Sequence, residues 1–334
     1  MAAADKSTAR TLLSQRKYPD LMSLDVTSGC NLRCLHCYNE SGESAHDVSD
    51  AQLLDIARQM AELHPFNVCL CGGEPLLRGN LLDVIDILYP NVGRIAMVTN
   101  GLLLSEAMAE KLVRHGVYTI QVSLDGAFAW QHDTIRGKRG CFAAALSALD
   151  ALYAAGLPQR TVSILPTRLS AGYLEEYVQL CLRHHVQIIR SMPFLPSGRG
   201  RLSEGLMPDS EGYFHYKRSF FRLRERYSGE IAMDWEDPLS LILTMPKKVR
   251  EGIGSYSAEI RANGDLVPSN YLPVTDGNLL RHPLREYWFG GHDTVWSDRR
   301  LLAYTKDIHQ IYDLETATPR PFGEEQICFD LLEE

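Results

Sequence analysis

The feature that most constrains the fold is a sixfold alternation of short apolar runs with amphipathic helical patterns. Strand-like runs occupy residues 21–26, 67–70, 94–98, 118–123, 161–165 and 187–191. Helical periodicity fills the intervals at about 49–63, 80–88, 105–115, 141–155 and 171–184. Ser49 is placed to cap the first helix with Gln52 as its capping-box partner, and Gly116 stands where a left-handed residue would end the third. Parallel strands need crossovers of this length, so the pattern predicts a parallel sheet with helices outside it. An open doubly wound sheet and a partial barrel both satisfy it. Every polar or Gly-rich segment follows a strand, where barrels carry their functional residues. The favoured fold is therefore α/β, a partial (β/α)6 TIM-type barrel with a small α+β C-terminal extension. The expected division is an N-terminal extension over 1–20, the barrel over 21–203 and the C-terminal region over 204–334.

Composition excludes several classes. A net charge of −8 argues against a nucleic-acid partner, because phosphate binding relies on a positive field. Residues 1–20 carry no apolar stretch resembling a signal peptide, and no run approaches the ~18 apolar residues of a membrane span. The expected compartment is cytoplasmic and reducing. Eight cysteines in a chain of this kind point to metal binding or chemistry more than to disulfides. Cys69, Cys71, Cys141, Cys181 and Cys328 are scattered and read by default as small buried hydrophobes.

The other three cysteines are not scattered. Cys30, Cys34 and Cys37 lie within eight residues directly after the first strand, spaced Cys-x3-Cys-x2-Cys. Three thiolates at this density suit three corners of a [4Fe–4S] cube, leaving one iron open for chemistry. A zinc site with His36 as fourth ligand is the rival, weakened by the position of His36 between two of the cysteines.

At these residues the chain resembles the radical S-adenosylmethionine (SAM) superfamily, with its Cys-x3-Cys-x-Φ-Cys signature and His36 at Φ. The resemblance extends over about residues 21–203. It implies that SAM chelates the open iron of one [4Fe–4S] cluster and is cleaved to a 5′-deoxyadenosyl radical, with an electron donor such as flavodoxin or ferredoxin as partner. Gly72-Gly73-Glu74-Pro75 matches the family's GGEP element, so Glu74 is expected to accept from the SAM ammonium and the glycines to admit a ligand closely. Thr99-Asn100-Gly101 is similar to the ribose-contacting turn, with Asn100 on the sugar hydroxyls. Ser123-Leu124-Asp125-Gly126 and His132-Asp133-x-x-Arg136-Gly137 match the branch that carries SPASM or twitch extensions. There Ser123 and Arg136 would hold the SAM carboxylate, a task suited to a guanidinium fork.

The run Ile260–Ser269, then Gly277-Asn278 and 284–288, follows the opening of a twitch-like extension, but Ser269 stands where that pattern has an auxiliary-cluster cysteine. Only Cys328 follows, too few for an auxiliary cluster. A small polar substrate (sugar, sugar acid, aminocyclitol or nucleoside) and a redox-neutral decarboxylation or epimerisation are therefore expected. The most specific reading is a sugar-acid decarboxylation resembling that of cytosylglucuronate decarboxylase. Arg168, Arg190 and Arg199 are the expected contacts to a substrate carboxylate, and Cys328, Cys141 or Cys71 the expected hydrogen donors for an epimerisation. A ribosomal-peptide modifier and a non-catalytic iron–sulfur or zinc protein are the alternatives.

Overall fold

The structure is a computed structural model that describes residues 18–314 and 327–333. Most of the expected N-terminal extension, residues 1–17, lies outside the described residues. Six parallel strands appear in order: β1 (Leu21–Thr27), β2 (Asn67–Gly72), β3 (Arg94–Thr99), β4 (Val117–Ser123), β5 (Gln159–Ile164) and β6 (Ile188–Ser191). Each is hydrogen-bonded to the next in the chain. The crossovers carry α1 (Asp50–Glu62), α2 (Leu81–Leu88), α3 (Glu106–Arg114), α4 (Ala129–Arg136), α5 (Cys141–Ala154) and α6 (Leu174–Arg183). The Ser49–Gln52 capping box forms, and Gly116 adopts φ +92° beyond α3. This is the α/β partial barrel expected from the alternation.

The sheet does not stop at residue 203. After β6, α7 (Ser210–Arg226) leads to β7 (Ala232–Trp235), which pairs in parallel with β6. Past α8 (Pro238–Arg250), β8 (Ser257–Ile260) pairs in parallel with β1 at the opposite edge. A turn at Gly264, φ +85°, joins β8 to the antiparallel β9 (Asp265–Val267). Thus the C-terminal region extends both edges of a ten-stranded sheet. The short β10 (Val274–Thr275) and β11 (Gly277–Asn278), α9 (Leu284–Phe289), α10 (Arg299–Thr305) and β12 (Ile327–Cys328) complete the described chain. That region also has an apolar core of its own, which includes Ile242, Leu272, Val274 and Trp296. No helix among the described residues is long and apolar enough to cross a membrane.

Period-two alternation explains how the sheet is buried. Met22, Leu24 and Val26 of β1 pack toward the helices with Val68, Leu70, Ile95, Met97, Ile120, Val122, Val162, Ile164 and Ile189. The intervening positions face the inside of the barrel. They are Ser23 and Asp25, Cys69 and Cys71, Ala96 and Val98, Thr119 and Gln121, Thr161 and Ser163, and Ile188 and Arg190. A packed TIM interior is filled by Val, Ile and Leu; this one is largely polar.

Two glycines set the geometry of the barrel mouth. Gly72 sits at φ +114°, and a Cβ there would meet the Thr27 carbonyl oxygen at 2.3 Å. A Cβ on Gly73 would lie 2.0 Å from the Gly29 carbonyl oxygen. Both glycines let the end of β2 lie against the backbone entering the cysteine loop, where Gly73 N donates to Thr27 O (2.8 Å) and Glu74 N to Gly29 O (2.9 Å). Because the obstacle is backbone, Gly73→Ala is expected to lower the stability of the metal-free protein by roughly 1–3 kcal/mol, the usual cost of overpacking. Thermal unfolding measures it; an unchanged midpoint contradicts the packing.

Candidate active site

The loop carrying Cys30, Cys34 and Cys37 is tied down by main-chain contacts from four directions. Cys30 N donates to Gly42 O (2.9 Å) and Gly42 N to Ser28 O (3.0 Å). Asp47 accepts from the Thr27 hydroxyl and from both the amide and hydroxyl of Ser28. Leu35 N donates to Ile135 O at the end of α4 (2.9 Å). Arg199 donates through Nε to Cys34 O (2.9 Å), through Nη2 to Ser41 O (3.1 Å) and through its amide to Cys37 O (3.0 Å). The sequence places Arg199 on a substrate carboxylate; in the structure its guanidinium braces the loop.

Two of the motifs also have partners within the protein. Glu74 is fully buried, and its carboxylate accepts from Thr99 Oγ1 (2.7 Å), Asn100 N (2.8 Å) and Leu76 N (3.3 Å). Burial raises its pKa against these hydrogen bonds. Its place is that of a clamp between the ends of β2 and β3, with buried Pro75 opening the short turn beyond it. Asn100, expected on a ribose, donates through Nδ2 to Asn31 Oδ1 in the cysteine loop (2.7 Å), and its Oδ1 accepts from Leu102 N (3.0 Å).

Ser123 and Arg136 converge near the loop. Ser123 ends β4 on the inner face, and its hydroxyl has no hydrogen-bond partner among the described residues. Arg136, the last residue of α4, is buried, with Nε against Asp125 Oδ2 and Nη1 3.6 Å from Cys34 Sγ. Asp125 also faces His36 Nε2 at 3.3 Å. Burial opposes its ionisation, but Arg136 and then His36 outweigh that and hold its carboxyl well below the usual range. Asp125 N donates to His132 Nδ1 (3.0 Å), which places that ring's proton on Nε2. Burial lowers the His132 pKa to about 4, so the ring stays neutral. Asp133 caps α5 through Gly140 N and Phe142 N.

Inside the barrel, Cys71 Sγ donates to Asp25 Oδ1 (3.3 Å) and lies 3.9 Å from Cys69 O. Arg190 reaches Gln121 Oε1 (3.4 Å) and Glu236 (3.4 Å), within the chamber as expected. Burial pushes Asp25 up to about 6 and Glu259 to about 7. The Cys71 thiol is raised well above its ordinary value, chiefly by its bond to Cys69 and then by burial. Sequence reading passes over Asp25 and Glu259 and takes Cys69 as a core hydrophobe; their shared inward register is the signal that finds them. Three expected residues are elsewhere. Arg168 is exposed and donates to Met207 O (2.7 Å), and Cys328 is exposed on β12. Cys141 is buried behind the cysteine loop with Leu32 and Leu102.

The donor set fits an iron–sulfur cluster. Cys30, Cys34 and Cys37 are free thiols, one buried and two half-buried, on one loop backed by apolar side chains. Soft thiolates suit this group, and ligation deprotonates the Cys30 and Cys34 thiols that burial otherwise keeps protonated. His36 completes no second ligand pair for zinc, since its Nε2 faces Asp125.

The raised Asp25 pKa has a definite sign. The folded carboxyl binds its proton more tightly than the unfolded one, so ionisation costs stability as pH climbs from about 4 through about 6. A shift of this size corresponds to about 3 kcal/mol above that window. Asp25→Asn is expected to remove the penalty, raising the melting temperature at pH 7.5 and leaving it nearly unchanged at pH 4. An equal effect at both pH values contradicts the assignment.

The comparisons with known proteins fall on the same residues. The family described as the Radical SAM superfamily matches residues 24–180. An AdoMet-dependent heme synthase of Methanosarcina barkeri is 27% identical over 306 residues, covering 83% of this chain and 84% of that one. The mycofactocin maturase MftC of Mycobacterium ulcerans is 33% identical over 183 residues, 54% of this chain, and this chain spans only 49% of it. The PqqA peptide cyclase of Streptomyces rochei is 30% identical over 285 residues, 81% of this chain and 76% of that one. Among solved structures, Streptococcus suis SuiB bound to its precursor peptide SuiA superposes with a TM-score of 0.70 at 15% identity, over 91% of this chain and 70% of that one, a likeness of fold. The chain belongs to the radical SAM superfamily, whose members bind a [4Fe–4S] cluster and S-adenosylmethionine.

Proposed function

We propose that this radical SAM enzyme modifies a peptide in a redox-neutral reaction, with epimerisation of a backbone carbon as the leading form. The observation that carries the substrate class is the similarity to a PqqA peptide cyclase along most of both chains. The polar chamber supports it, because a peptide brings amide donors and acceptors that Asp25, Gln121, Ser163 and Arg190 can meet. The small polar substrate expected from the sequence gives way to this reading. No relative named above is a cytosylglucuronate decarboxylase. A heme-type substrate is the second reading, favoured by the heme synthase match over 84% of that protein.

Cys30, Cys34 and Cys37 would hold the cluster, with Ser123 and the free edge of the Arg136 guanidinium on the SAM carboxylate. Glu74, Asn100 and Arg199 keep the three loops in place around them. When bound, SAM on the reduced cluster supplies a 5′-deoxyadenosyl radical that removes one hydrogen atom from the substrate. Cys71 holds its proton on Sγ beside Asp25 and faces the chamber, so it would return one hydrogen atom to carbon. Its sulfur then regains one electron and one proton from the external reductant, and the substrate shows no net oxidation. Of the three donors expected from the sequence, Cys71 is preferred, because Cys141 is buried behind the cysteine loop and Cys328 is exposed on β12.

The test uses anaerobically reconstituted enzyme, SAM, dithionite and a panel of short synthetic peptides, with a porphyrin as the rival substrate, in D2O. The expected product carries one deuterium at an inverted carbon, with 5′-deoxyadenosine formed alongside. Cys71→Ala is expected to keep iron content and 5′-deoxyadenosine formation while deuterium incorporation falls at least about tenfold, as when a positioned proton-bearing group is lost. An unmodified peptide, or a porphyrin converted in its place, overturns the peptide reading. Full incorporation by Cys71→Ala overturns the donor assignment alone.

A further inference from the structure

We propose that the β1–β8 side of the chamber is a subsite for a cationic side chain, the ammonium or guanidinium of a basic residue in the substrate peptide. The inference deepens the peptide reading and rests on it. Glu259 lies on β8 in register with Ser23 of β1, between the core residues Ala258 and Ile260, so its side chain points to the inner face. One carboxylate oxygen, Oε2, accepts from Asn270 N. The other, Oε1, has no hydrogen-bond partner among the described residues, and the residue is half-buried.

Two tyrosines face this carboxylate. Tyr38, directly after Cys37, and Tyr271 have ring centroids 5.4 Å apart with their planes tilted by 53°. Both rings pack on the C-terminal apolar core and are half-buried. Neither hydroxyl has a hydrogen-bond partner among the described residues. A free carboxylate oxygen beside two aromatic rings suits a cation carried on an apolar stem, with the stem along the rings and the head on Glu259.

The charges around this spot are short of one cation. Asp25 on β1, Glu259 on β8 and Asp265 on β9 all face the buried Arg261, whose Nη2 donates to Leu272 O (3.1 Å). Three carboxylates thus share one guanidinium, although Asp265 also accepts from Asn263 and Asn278. The other charged groups that act on these side chains have partners of their own: Asp47 has Arg78, His292 has Asp276 and Glu236 has Arg190. Burial, and the Asp25 charge behind it, push Glu259 up to about 7 against the Asn270 bond and Arg261. A basic side chain against Oε1 supplies the missing partner and draws the carboxyl back to its charged form. Both tyrosines also face Cys71, so the subsite would hold the adjoining peptide backbone near the thiol that returns hydrogen to carbon.

The experiment uses cluster-loaded enzyme with SAM and matched synthetic peptides in which one position at a time is lysine, arginine, norleucine or glutamate. Fluorescence anisotropy reads the dissociation constant, and deuterium incorporation is followed alongside. At one position, lysine and arginine are expected to bind about tenfold or more tightly than norleucine, and glutamate more weakly than norleucine. Glu259→Gln keeps the side-chain shape and an oxygen to accept from Asn270 N but removes the charge. It is expected to bring the lysine peptide to the norleucine value, while iron content and the affinity for the norleucine peptide stay at wild-type values; a merely structural role would weaken both peptides together. Equal wild-type affinity for the four residues at every position, or a lysine preference that survives Glu259→Gln, overturns the subsite and leaves the peptide reading standing. Conversion of a porphyrin with no peptide bound sinks the peptide reading, and the subsite with it.

Discussion

The buried carboxylate of Asp125 is the interaction on which the site depends. Taking this charge out of water costs several kcal/mol, and only close, well-placed partners offset that. Its partners come from different parts of the chain: Arg136 from the end of α4 and His36 from the cysteine loop. Its own amide adds His132 to the group. One carboxylate therefore fixes a strand end, a helix end and the loop that carries the cluster ligands. Without it, Arg136 would be an uncompensated buried cation, a loss on the order of 3–5 kcal/mol. The same pairing turns one edge of the guanidinium away from solvent and leaves Nη1 toward Cys34. Hydrogen bonds to ligand sulfur are among the means by which a protein sets a cluster's potential.

A second constraint is the inversion of the usual barrel interior. Burial of apolar side chains on the helix side stabilises the sheet, which leaves its inner face free to be polar. The inner face uses that freedom for Asp25, the Cys69–Cys71 pair, Gln121 and Arg190. Asp25 and Glu259 carry raised pKa values as a result, a local sacrifice of stability at a functional surface. Arg190 and Glu236 at one edge of the sheet and Cys69 on β2 at its centre share this space. A chamber enclosed by a curved sheet accounts for that proximity.

Much of this was legible in local sequence. The six strands, their helices and the Ser49 cap rest on periodicity and short-range chemistry, and the structure contains each of them. The parts that were not legible depend on partners far away in the chain. Glu74 and Asn100 sit where their motifs predict, but their acceptors and donors come from β3 and the cysteine loop. Arg199 is 165 residues from the carbonyl it braces. β7 and α8 escaped notice for a different reason. Four residues are too few to show alternation, and Pro246 interrupts the helical pattern of α8 without ending the helix. The inward register of Cys69 and Cys71 was visible in principle, but scattered cysteines look like core hydrophobes until the strand is seen to face a polar space.

The C-terminal region is held together by its own packing. Ser269 is fully buried, and its hydroxyl accepts from Tyr271 N at 3.3 Å, a local turn contact that needs no metal. Around it, Leu272, Val274, Ile242, Met245 and Trp296 form an apolar core, while His292 and Asp276 pair in full burial nearby. Hydrophobic burial and the buried His292–Asp276 contact thus stabilise this segment through protein groups alone. β8 and β9 at its start are anchored on β1 itself, which gives the scaffold a further reason to persist without iron. On the proposed reading of one cluster held by Cys30, Cys34 and Cys37, an electron released by a substrate radical would have no second cluster to accept it. Chemistry in which hydrogen is removed from carbon and returned to it asks for none.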